Sequence, residues 1–177
     1  MCSCWSSVGK TRGRQTVRLE QTKCMRYGLI QHEIMHALGF FHEHNRFDRD
    51  SYVKINWQYI SPEDEDQFQK DEGSTFSISY DYTSVMHYSS KTFVNTSKQV
   101  SIIPIPNTNV PIGQRTGLSS LDVKRINLLY NCSKFLLTCD HNVSYTLVAL
   151  TPEEAAENRQ VLPKYYRGHQ SLKHTDN

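Results

Sequence analysis

Apolar and polar positions alternate over Trp5–Val8 and again over Gln15–Leu19, the two-residue period of short strands. The basic stretch Gly9–Gly13 between them reads as a turn. From Met25 to Leu38 the period changes, with apolar residues at 25, 29, 30, 34, 35, 37 and 38. That spacing predicts a helix, and Gly39 is placed to stop it. A dense charge alternation over Arg46–Asp50 is followed by Tyr52-Val53-Lys54-Ile55, and a helical turn is expected after Ser61-Pro62. Residues 71–118 carry Gly, Ser, Pro and Asn freely and read as loops with few strands. Ser119-Ser120-Leu121-Asp122 reads as a helix start with an acid in its first turn, and Leu121, Ile126, Leu129 and Tyr130 supply one apolar stripe. After Cys132 the pattern fades. Residues 133–177 hold one short apolar run, Leu147–Leu150, and are expected to form a weakly ordered tail.

Composition narrows the class. A chain of 177 residues is long enough for one domain and too short for two ordinary ones. Lys plus Arg total 20 against 18 Asp plus Glu, a net charge of +2, which argues against a nucleic-acid binder held by a strongly basic face. No run approaches the roughly 18–20 apolar residues of a membrane span. Five cysteines and three glycosylation sequons, at Asn95, Asn131 and Asn142, suit a secreted protein, yet the first residues do not read as a signal peptide.

The chemistry concentrates in His32-Glu33-Ile34-Met35-His36-Ala37-Leu38-Gly39-Phe40-Phe41-His42. Residues four apart share a helix face, so His32 and His36 can point at one ion, with Glu33 beside them but outside the ligand set. Gly39 can adopt φ > 0 and turn the chain so that His42 returns as third ligand. Three histidines with one open position describe a catalytic zinc site, one zinc per chain. The reaction that follows is amide hydrolysis, with Glu33 as general base and acid. His44, His87, His141, His169 and His174 read as surface or packing residues.

The extended motif through Glu43-His44-Asn45-Arg46, together with Ser84-Val85-Met86-His87-Tyr88, resembles the astacin family of metzincin zinc metallopeptidases, closest in look to its hatching-enzyme branch. The resemblance runs from Cys4 to Cys132. It implies an α+β catalytic domain over residues 1–132, with a zinc helix, an irregular lower subdomain and a C-terminal helix. Residues 133–177 lie outside it. It implies Met86 as an apolar floor under the metal, Tyr88 as a switchable ligand and oxyanion stabiliser, and a Cys4–Cys24 disulfide. It further implies that an extended protein substrate pairs with the strand near Cys4–Val8 of a secreted, monomeric endopeptidase, with no nucleic acid and no transmembrane span.

Family members carry upstream of this point a signal peptide, a propeptide, a long helix and the first sheet strands. The chain is therefore read as N-terminally incomplete, with its upper sheet partly missing. On that reading Cys132 loses its family partner, with Cys2 and Cys139 both open as substitutes. Glu43, which in the family holds the mature N-terminus, becomes exposed or locally paired. Ile30, Ile34, Phe40 and Phe41 are expected to have fewer apolar partners. The alternative function is a catalytically incompetent zinc- or peptide-binding fragment.

Overall fold

The computed structural model describes residues 4–94, 96 and 98–132. The expected tail, the candidate partners Cys2 and Cys139, and the sequons at Asn95 and Asn142 lie outside them.

The two N-terminal segments form a hairpin. Strands β1 (Trp5–Ser6) and β2 (Val17–Arg18) pair antiparallel, with Trp5 opposite Arg18, so the regular ladder is shorter than the alternation predicts. The Gln15 side chain closes the turn by donating to the Gly9 carbonyl at 3.1 Å and accepting from the Thr11 N–H at 3.2 Å. A Cys4–Cys24 disulfide ties β1 to the segment entering the first helix. Closing a loop with a sequence separation of 20 stabilises by about 3 kcal/mol in the chain-entropy account.

Helix α1 (Tyr27–Ala37) buries His32, Glu33, Met35 and His36 on one side. Gly39 follows at φ 103°, a left-handed conformation open to glycine and strained for other residues. The hairpin is anchored on this end of the helix, where the Gly9 N–H donates to the His36 carbonyl at 2.8 Å.

Strand β3 (Val53–Ile55) pairs antiparallel with β4 (Ile102–Pro104), Lys54 facing Ile103. Val53, Ile55 and Ile102 turn inward to a cluster with Ile60, Phe68, Tyr80 and Tyr88. The turn after Ser61 is a 3₁₀ helix, Pro62–Phe68. Helix α2 (Ser120–Leu129) starts at a capping box in which Ser119 and Asp122 satisfy each other's backbone N–H groups. Its Ile126 and Leu129 pack on a second cluster of Met35, Phe40, Val85 and Met86.

The sequence expectation for the four apolar residues of the zinc helix and its exit therefore divides. Ile34 is 46% exposed and bare, as expected. Phe40 is buried at 8%, because it packs in a cluster with Met35, Val85 and Met86 on which Phe76 and the α2 residues Ile126 and Leu129 close. No helix among the described residues is long and apolar enough to cross a membrane.

Candidate metal centre

Helix α1 brings His32 and His36 together as their spacing requires, with ring centroids 4.7 Å apart. After Gly39 the chain doubles back and seats His42 against both, 5.3 Å from His32 and 4.7 Å from His36. All three rings are buried, and each offers one nitrogen within 4.8 Å of the others.

Two neighbours set the ring orientation. His32 Nδ1 lies 2.8 Å from the Val85 carbonyl and His36 Nδ1 lies 2.8 Å from the Phe40 carbonyl. A carbonyl only accepts, so Nδ1 carries the proton and donates in both rings, which leaves each Nε2 lone pair for a metal. The His36 and His42 Nε2 atoms are 3.2 Å apart. Two nitrogens on one tetrahedral zinc at about 2.0–2.1 Å are separated by about 3.3 Å. The donor set, the tautomers and the spacing therefore fit zinc.

The turn Ser84–Tyr88 underlies this group and holds two of its ligands through consecutive carbonyls. Val85 accepts from His32, and Met86 accepts from the N–H of Glu43, the residue after His42, at 3.0 Å. The Met86 side chain is 1% exposed, in the apolar cluster with Met35, Phe40 and Val85. The Tyr88 ring packs beside His42, 4.3 Å away and tilted by 50°, and stacks on His44 at 4.0 Å. Glu33 is 1% exposed on the same helix.

His44 and His87 are packing residues, and both are fully buried. His87 donates from Nδ1 to the Tyr88 carbonyl and accepts at Nε2 from the Tyr80 hydroxyl, each at 2.7 Å. Burial pushes its pKa down to about 4, so it stays neutral.

Three supporting residues escape a reading of the sequence. Asp122 is noticeable there only as a helix-start acid. In the fold its carboxylate also accepts from Ser84 Oγ at 2.6 Å and from the Val85 N–H at 2.9 Å, pinning the Met86 turn to α2. Arg125 reaches Glu43 at 2.7 Å through each of its terminal nitrogens, and Arg46 adds a 3.3 Å contact. Glu43 is thus buried and locally paired, and the exposed alternative is excluded. Burial raises its carboxyl above the usual range, opposed by Arg125, the Asp81 N–H and Arg46. Cys132 is an exposed thiol with no disulfide among the described residues.

A cavity of about 90 Å³ opens beside His42, walled by Phe40, Phe76 and Leu129, with Asp71 at its edge. Burial pushes the Asp71 carboxyl up to about 6, against the pull of the Gly73 N–H it accepts. A carboxyl raised above its unfolded value near 3.8 contributes stability that is complete below pH 3.8 and lost as pH rises through about 6. Stability of the metal-free chain should decline across this window by no more than about 3 kcal/mol from this group. Asp71→Asn should flatten that decline in urea titrations between pH 4 and 7, and an unaltered slope would assign it to other groups.

Residues 1–131 match the family model of the Astacin peptidases. The chain is 55% identical over 132 residues to an astacin-like metalloendopeptidase of Gallus gallus, covering 74% of this chain and 32% of that protein. It is 50% identical over 129 residues to high choriolytic enzyme 1 of Oryzias latipes, covering 73% of this chain and 48% of that one. The solved structure of that enzyme, a hatching enzyme zinc-protease, superposes with a TM-score of 0.73 at 48% identity over 75% of this chain and 66% of the other. The chain thus spans about a third to a half of the length of these curated relatives.

Proposed function

Because this chain belongs to the astacin family of peptidases, we propose that it acts as a zinc metalloendopeptidase on extracellular proteins. The observation that carries this reading is the convergence of three buried histidines, two of which have their Nδ1 protons engaged by backbone carbonyls. His32, His36 and His42 hold the ion. Zinc, when bound, supplies a Lewis acid and brings the pKa of a coordinated water down to about 7.

The chain's own residues then divide the work. Glu33, next to His32 and buried, accepts the proton of the attacking water and returns it to the leaving amine nitrogen. Tyr88, packed at a tilt beside His42, offers its hydroxyl to the oxygen that gains negative charge. Met86 and its apolar cluster keep water from the underside of the rings. Strand β1 pairs with β2 on one edge only among the described residues, and an extended substrate adds to the other. Residues 1–132 form the catalytic unit, acting as a monomer.

Secretion is supported by the Cys4–Cys24 disulfide, which persists in oxidising compartments, and by the exposed sequon residue Asn131 just past α2.

Loading the purified chain with zinc should give about one ion per chain and cleavage of a denatured protein, both removed by a chelator and restored by added zinc. Zinc held with a cooperative melt and no cleavage overturns the enzyme in favour of a zinc-binding fragment.

A further inference from the structure

The charge of this chain is unevenly placed. Between Lys10 and Arg26 there are six Lys or Arg residues and one acid, Glu20, so this segment carries +5. The remaining residues hold 14 Lys or Arg against 17 Asp or Glu, a balance of −3. Lys10, Arg12, Arg14, Arg18, Lys23 and Arg26 are all exposed. Glu20 pairs with Lys23 at 3.6 Å, and the other five make no ion pair among the described residues.

This patch has a fixed position relative to the metal centre. The Gly9 N–H donates to the carbonyl of His36, so Lys10 begins one residue after a direct bond to a ligand-bearing turn. Gln15 braces the loop from inside, and the disulfide holds the far end of the segment at Cys24. Like charges crowded on one braced hairpin repel one another and raise a local positive potential, a cost recovered when an anionic partner arrives.

Resting on the peptidase reading above, we propose that the hairpin of residues 10–26 is a substrate-docking surface that recognises an acidic polypeptide segment flanking the cleaved bond. An extended chain laid along the other edge of β1 runs on past the turn that follows this strand and carries Lys10, Arg12 and Arg14, which favours a polypeptide partner over a glycan or nucleic acid. The attraction acts over about 8 Å at physiological salt, so it accelerates capture of acidic chains and leaves the chemical step untouched.

The test uses two labelled peptides that share one cleavable sequence and differ only in a flanking tract, four Glu in one and four Gln in the other. At low salt the acidic peptide should show about 10-fold higher kcat/KM, with the advantage shrinking as NaCl is added. The variant Lys10→Gln/Arg12→Gln/Arg14→Gln/Arg18→Gln should lose that advantage through KM, with kcat on the neutral peptide unchanged. Fluorescence anisotropy on Glu33→Gln protein reads binding without turnover and should show the same preference and the same loss in the hairpin variant. If anisotropy retains the acidic preference while neither peptide is cleaved, the peptidase reading fails and the docking surface stands. Equal affinity for both peptides, or binding of a sulfated glycan in place of the acidic peptide, overturns the proposal.

Discussion

Glu33→Gln is expected to lower kcat/KM for a protein substrate by about 10³-fold while the chain keeps its single zinc, as general acid–base groups contribute roughly 10²–10⁴. The amide has the size and hydrogen-bonding reach of the carboxylate but cannot take up a proton at physiological pH. Glu33 lies outside the three-histidine group, so the donor set is unchanged by the substitution. His32 and His36 keep their carbonyl partners at Val85 and Phe40, and their tautomers with them. Activity and zinc content should therefore separate, as measured by peptide hydrolysis and metal analysis on the same preparation. Unchanged cleavage would remove Glu33 from the role of base, and joint loss of zinc and activity would make it a structural residue.

Arg125→Met should destabilise the chain by about 3 kcal/mol or more, at the low end of the cost of breaking a buried pair. The substitution strands Glu43, 4% exposed, beneath the third ligand with Arg46 at 3.3 Å as its remaining cation. Glu43 is joined to the Met86 carbonyl through its own N–H and to the Asp81 N–H through its carboxylate at 2.8 Å. A shift there moves His42, so zinc should also dissociate faster. The double variant Arg125→Met/Glu43→Gln should recover most of the stability, because it removes the uncompensated charge rather than adding another contact. Urea denaturation of the metal-free proteins gives the first comparison, and zinc release to a coloured chelator the second. A single variant as stable as the double would show that Arg46 compensates Glu43 by itself.

The local features are legible in the sequence because their causes are local. The helix, its glycine stop and the three histidines follow from periods and offsets within the eighteen residues Met25–His42, and the capping acid Asp122 from an offset of three. The hairpin is visible from alternation, though its ladder is only two residue pairs long, since most of the segment is turn. Phe40 shows where such reasoning stops. Its exposure depends on what covers it, and most of that cover comes from residues 36 to 89 positions away.

By itself the sequence determined the three candidate ligands, the candidate base beside them and the order of the elements. In each case the deciding relation spans a few residues or a motif of fixed spacing, so backbone geometry alone brings the groups together. The tertiary structure decided which groups hold that set in place. Glu43 meets Arg125 across 82 positions, and Asp122 meets Val85 across 37, and no periodicity encodes either encounter. Those buried charges are tolerated only because the packing of α2 under the 84–88 turn delivers a partner to each. It also decided which nitrogens of His32 and His36 face the metal, since the protonated atom of each ring is set by a carbonyl that folding supplies.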